Sequence, residues 1–374
     1  MRRRASHRKA PASSILDHVR EIANGENAAA GLVELLPENA PIYAGRRSDE
    51  VDQARALIFG AFEGHELPHE ALPFVLEELE SGSNPQTVAA AARTLRNARQ
   101  LPSQAADLLL RAIDRFAVAD DVLEAGQGDC NGATTLLSEL LRALARLAPR
   151  AAGGTHDTLR SVADRHGYAF SDDVRTELER ALAALSGRRP AQACCCDPEI
   201  AAIDGKPVSA APSPPPDELV LQDQDGELTT FGSLFHGRPS VIAFFYTRCM
   251  VPEKCSLTIT KLARLQQSIA AGSLRDRINV AAITYDPAFD IPTRMRAYGT
   301  DRGMSFDRRN RLLRAPHGIG PLQRYFGLQV GFGAATVNRH RLELFVLGRE
   351  AEIAASFARM QWHEQKIFAT LQRL

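Results

Sequence analysis

Cysteine is scarce in this chain. Six cysteines in 374 residues are too few to staple a secreted scaffold. Net charge is missing as well: 45 Lys and Arg balance 45 Asp and Glu. That removes the overall basic excess of a nucleic-acid binder, so no nucleic-acid partner is expected, and it removes the acidic excess of a solvating tail. No run of about 18 apolar residues occurs, which argues against a transmembrane helix. The start is basic at Arg2, Arg3, Arg4, Arg8 and Lys9, yet the apolar stretch of an export signal does not follow. Instead Ala10-Pro11-Ala12-Ser13-Ser14 leads into an amphipathic segment. These absences give the expectation of a cytoplasmic protein whose residues 1–14 form a disordered basic tail.

What is present points to two domains, since the chain is too long for one and 44% of it is apolar. Residues 15–187 read as successive helices. Apolar positions recur at helical spacing in Ala71-Leu72-Phe74-Val75-Leu76-Leu79, in Ala105-Leu108-Leu109-Ala112-Ile113 and in Leu136-Leu137-Leu140-Leu141-Leu144-Leu147. Leu67-Pro68-His69-Glu70-Ala71 and Leu101-Pro102-Ser103-Gln104-Ala105 each open a helix with proline near its start. Between them, Asn84 to Leu95 forms another helix. A helix pair per unit is similar to a HEAT-type α-solenoid, with an irregular helical bundle as the alternative. This half carries no catalytic signature and reads as a partner-binding surface.

A linker at 188–216 holds Pro190, Pro198, Pro207, Pro212, Pro214, Pro215 and Pro216, a density that resists helix and central strand alike. It also holds Cys194, Cys195 and Cys196. They read either as exposed thiols without a role or as auxiliary thiols on a mobile arm, since a tether of about 50 residues reaches easily to the later cysteines. Cys130 reads as a small buried hydrophobe.

Beyond the linker, 217–374 changes pattern. Leu219-Val220-Leu221 is a strand, Asp225-Gly226 a turn, and Leu228-Thr229-Thr230-Phe231 a second strand. Val241–Tyr246 and Ile278–Thr284 are buried strands, with a helix over 255–270 between them and another over 291–299. Leu342–Leu347 and Ala351–Ala355 pair, and a helix over 360–371 closes the chain. A β-α-β half followed by a β-β-α half is the thioredoxin arrangement, so the expected fold class is an α-helical domain followed by a thioredoxin-like one.

Cys249 follows a buried strand and Cys255 stands at a helix start. Unpaired helical N–H groups there favour thiolates, which are both nucleophiles and metal ligands. Two such cysteines can share one soft metal ion or form one disulfide. The segment Phe244-Phe245-Tyr246-Thr247-Arg248-Cys249, with Pro252-Glu253-Lys254-Cys255, resembles the copper loop of the Sco/SenC family. Thr284-Tyr285-Asp286-Pro287-Ala288-Phe289-Asp290-Ile291-Pro292 resembles the strand and turn that follow in that family. Val337-Asn338-Arg339-His340 resembles the segment carrying its histidine. Five residues separate the cysteines where three are usual, so Met250-Val251 reads as an insertion, and Arg339 puts a positive charge beside His340.

The resemblance implies copper, Cu(I), Cu(II) or both, bound by Cys249, Cys255 and His340, with Asp286 as an outer carboxylate. It further implies copper trafficking or maturation of a copper-dependent partner, received through the helical domain. Two alternatives stand beside it. One is a thiol–disulfide oxidoreductase using Cys249 and Cys255 as catalytic cysteines without a stable metal. The other is a non-catalytic scaffold. Met250 and Met304 read as packing residues.

Overall fold

A computed structural model describes residues 12–99, 101–102, 104–119, 122–123, 134–186, 213–272, 274 and 276–374. Cys130, the Cys194–Cys196 run, most of the basic tail and most of the linker fall outside these residues. The chain divides into two compact units, Met1–Glu199 and Ile200–Leu374.

The described part of the first unit is helical apart from one small two-stranded pair. Its helices are α1 (Ala12–Ala23), α2 (Ala28–Glu34), α3 (Ser48–Ala61), α4 (Leu72–Ser81), α5 (Pro85–Leu95), α6 (Gln104–Phe116), α7 (Leu136–Leu147), α8 (Thr155–His166) and α9 (Asp172–Ser186). Strands β1 (Val122–Leu123) and β2 (Thr134–Thr135) pair antiparallel before α7. The first helix starts at Ala12, inside the stretch expected to be a tail. Helix starts are set locally. The Asn84 side chain accepts from Thr87 N at 3.1 Å with Pro85 at the first helical position, and Thr135 accepts from Ser138 N at 3.2 Å.

Packing falls into two rows: α3, α5, α7 and α9 touch in sequence, as do α4, α6 and α8, and the pairs α4–α5, α6–α7 and α8–α9 join the rows. Hydrogen bonds between neighbouring helices recur at a separation of 35 residues. Examples are Thr87 to the Asp52 carbonyl, Thr94 to the Phe59 carbonyl and Arg142 to Glu177. Inside the unit, Arg55 is fully buried and bonds Glu78 at 3.2 Å and the Leu36 carbonyl at 2.6 Å.

The second unit is built on a seven-stranded sheet. Its strands are β3 (Val220–Asp223), β4 (Leu228–Thr230), β5 (Ser240–Phe245), β6 (Asn279–Thr284) and β7 (Asn310–Arg314), followed after a hairpin of β8 (Val330–Phe332) and β9 (Val337–His340) by β10 (Glu343–Leu347) and β11 (Ile353–Ala358). The sheet order is β11-β10-β5-β6-β7-β3-β4, and β8–β9 stand apart as a two-stranded sheet. The central strands β5 and β6 run parallel from Ser240 against Asn279 to Phe245 against Thr284. Both are buried along their whole length, as continuous apolar strands covered on both faces must be. Strand β10 runs antiparallel to β5, and β11 antiparallel to β10. This four-strand core is thioredoxin-like; β7, β3 and β4 widen it.

Helices α10 (Phe231–Phe235), α11 (Leu257–Ala271), α12 (Pro292–Thr300), α13 (Gly320–Phe326) and α14 (Glu364–Leu371) complete the unit. Phe231, expected at the end of a strand, opens α10 because the Thr230 hydroxyl accepts from Ser233 N. The last helix begins at Glu364 rather than 360. Arg359 has φ 71°, and Trp362 is buried under the Lys261 ammonium, 4.7 Å from its ring centroid. No helix among the described residues is long and apolar enough to cross a membrane.

Candidate metal centre

Strand β5 ends at Phe245, and the chain turns at once: Cys249 N bonds the Tyr246 carbonyl at 3.3 Å. A π-helical turn, Pro252–Ser256, then feeds α11. The wider turn takes up the lengthened loop and drops Cys255 into the core, where it is 1% exposed. His340 comes from the last position of β9 and is buried at 4%. Its neighbour Arg339 lies on the opposite face of the strand by simple alternation, so the charge expected to oppose a cation is not aimed at the site.

Three donor atoms meet there. His340 Nε2 is 3.5 Å from Cys249 Sγ and 3.4 Å from Cys255 Sγ, and the donor atoms all lie within 4.8 Å of one another. Among the described residues this is the cluster of ligand-type side chains close enough to hold one ion. His340 Nδ1 donates to the Arg341 carbonyl at 2.9 Å. A carbonyl can only accept, so Nδ1 carries a proton. Nε2 and the two sulfurs are left to share the remaining protons, which a metal ion would replace. Tyr246 meets the imidazole edge-on, with centroids 5.3 Å apart, and Tyr285 lies 5.4 Å away on a tilted plane. Tyr285 is held in turn by its hydroxyl donating to Glu343 at 2.5 Å.

The two sulfurs are unequal. A hydrogen bond from the Cys255 thiol pulls the pKa of Cys249 far below the ordinary thiol value; His340 adds to this, and burial opposes it. Burial pushes Cys255 the other way, helped by its role as proton donor to Cys249. The pair is therefore biased toward sharing one proton, with Cys249 the more readily ionised of the two.

Several neighbours fix this geometry. Lys254, 6% exposed, donates from Nζ to the His340 carbonyl at 3.0 Å, tying the cysteine loop to the histidine strand. Asp290 is fully buried and accepts from Thr247 N at 3.1 Å and from the hydroxyls of Thr247 and Thr284. Asp286 pairs with Arg248 at 2.5 Å, and Arg248 also reaches the Ala335 carbonyl at 3.2 Å and covers the Phe289 ring. The outer carboxylate thus acts on the residue before Cys249 and touches none of the three donors directly. Met304 is buried as expected, whereas Met250 is 88% exposed and packs on nothing that would hide it. Lys254 and Asp290 were visible in the sequence only as a charge beside a cysteine and a turn acid. Lys254 reaches a partner 86 residues away, and Asp290 ties Thr247, 43 residues back, to the nearby Thr284.

A thioredoxin-like sheet with two cysteines after its first central strand and a histidine delivered from a later hairpin defines a dithiol–imidazole protein. Residues 216–374 match the SCO1/SenC family, and this part of the chain is a SCO1/SenC domain. Solved structures similar to it include Bradyrhizobium japonicum ScoI with copper bound, with 23% identity, covering 44% of this chain and 100% of that one, at a TM-score of 0.35. Arabidopsis thaliana ScoI with copper bound shows 19% identity over 44% of this chain and 97% of that one, at 0.35. Yeast Sco1 shows 17% over 44% and 94%, at 0.34. No curated protein matches the chain.

Proposed function

We propose that this protein binds one copper ion through Cys249, Cys255 and His340 and passes it to a copper-dependent partner protein. The observation that carries this reading is the convergence of two sulfurs and one imidazole nitrogen within 4.8 Å in a largely buried pocket. Soft sulfur ligands with one imidazole suit Cu(I), and hard oxygen-seeking cations find no carboxylate among the three donors. The SCO1/SenC match over 216–374 supports the same cargo. The test is titration of the reduced protein with Cu(I) against a chromophoric chelator, beside a Cys249→Ser/Cys255→Ser variant. Tight one-to-one binding that the variant loses is the expected result; binding that the variant keeps would discard the site.

A second reading, thiol–disulfide exchange, rests on the inequality of the two sulfurs. A partly exposed, readily ionised cysteine beside a buried thiol is the arrangement of an attacking and a resolving cysteine. Exchange with a small disulfide that is unaffected by copper chelation would favour it over cargo delivery.

The helical unit we read as a HEAT-like solenoid that docks the copper-receiving or redox partner. Support comes from its two rows of helices and from inter-helix bonds that recur at a separation of 35 residues. Deleting residues 1–186 should abolish partner capture while leaving copper binding by the remainder intact.

A further inference from the structure

We infer that Lys254 is a positioning residue that tilts this site toward Cu(I) over Cu(II), an inference that rests on the copper reading above. Lysine is seldom so fully buried, because hiding its head group from water is costly. Here it is 6% exposed, directly precedes Cys255 in the chain, and spends a hydrogen bond of 3.0 Å on the His340 carbonyl. That bond makes one side chain a strut between two of the three donors. The same side chain brings a cation to the edge of the pocket.

Charge bookkeeping makes the placement specific. Two thiolates, a neutral imidazole and Cu(I) leave one negative charge in excess. With Cu(II) the same ligands are neutral. Burying a net charge is unfavourable unless an opposite charge is at hand, so a cation beside the pocket stabilises the Cu(I) form and does nothing comparable for the Cu(II) form. An opposite charge within a few ångströms shifts equilibria of this kind by about tenfold to a thousandfold. Arg248, which precedes the other cysteine, cannot supply this charge as effectively. It lies further toward solvent, with 34% of its side chain exposed.

The experiment uses the full chain and three variants. K254M removes both charge and donor, K254Q removes the charge and keeps a donor, and K254R keeps the charge. Cu(I) and Cu(II) affinities are measured by chelator competition, and the Cu(II)/Cu(I) potential by redox titration. K254M and K254Q should weaken Cu(I) relative to Cu(II) by about tenfold or more and lower the potential, while K254R stays close to the parent. A loose strut alone would weaken both ions equally, and that result, or an unchanged ratio, overturns the inference. If K254M does not fold, the comparison of K254Q with K254R decides. Failure of the copper reading shows separately, as a parent protein that takes up no copper or a Cys249→Ser/Cys255→Ser variant that binds it equally well. That result removes both claims.

Discussion

His340 donates its Nδ1 proton to the carbonyl oxygen of Arg341 at 2.9 Å, so the next residue in the chain decides which ring nitrogen faces the sulfurs. The donor at Nε2 is thus aimed before any ion arrives. His340→Ala should weaken Cu(I) binding by more than the roughly 10–100-fold typical of losing a partner outside the ligand set. Dithiol exchange at Cys249 and Cys255 should survive in this variant. Chelator competition and a disulfide-exchange assay on the same preparation check both halves, and unchanged copper affinity would remove His340 from the ligand set.

The inequality of the two thiols sets a pH dependence of its own. Cys249 has a folded pKa below the free value, so its contribution to stability is present above the free value and is lost as pH falls through the folded one. Cys255 has a raised pKa, so its contribution is present below the free value and is lost as pH rises toward the folded one. Metal-free stability should therefore peak near the free thiol pKa, about 8.5, and fall on both sides. Alkylation of Cys249 should stay fast well below that pH. Cys255→Ser replaces the main cause of the depression with a weaker partner and should move the alkylation midpoint upward. A midpoint near 8.5 in the parent protein would contradict the arrangement.

Asp290 gathers the cysteine loop and β6 into one knot through Thr247 and Thr284. Asp290→Ala should cost about 1–3 kcal/mol of stability by stranding buried donors. It should also loosen Cys249, which lies two residues beyond Thr247. Urea midpoints and copper affinity should fall together; lowered stability with unchanged affinity would mean that the knot supports the fold and not the site.

In the helical unit, Arg55 and Glu78 form a buried pair. Arg55→Met should destabilise by about 3–5 kcal/mol, because a buried carboxylate loses its cation, and Arg55→Met/Glu78→Met should recover much of the loss. Thermal unfolding of the two variants checks this. Equal losses in both would place the cost in packing instead.

Much of the second unit could be read from the chain because its signals are local. Val241–Tyr246 and Ile278–Thr284 are apolar runs of strand length, and they became β5, one residue earlier at both ends, and β6, which starts one residue later. Strand β7 escaped. Its sequence Asn-Arg-Leu-Leu-Arg buries only Leu312 and Leu313, while Arg311 and Arg314 find Asp223 and Gln222 on the neighbouring strand. Those partners are distant in sequence, so the arginines look like a solvated loop. Helix α13 was missed because its seven residues are too short to show a period. At the site, the three donors could be read because they are reactive residue types in a known order. The residues that hold them could not, since Lys254, Asp290 and Tyr285 act through contacts formed only once the chain has folded. Met250 misled for a related reason: composition favours burying a methionine, but a lengthened loop has no core to offer it.

The three donors are not equally accessible: Cys255 and His340 are sealed in, while Cys249 remains half-buried. Such a pocket has one door. Under the copper-transfer proposal, an incoming thiol from another protein would meet Cys249 before the other two donors. The inner pair would then govern how tightly the ion is held, and the outer sulfur how quickly it leaves. Holding strength and residence time can therefore be changed by different substitutions.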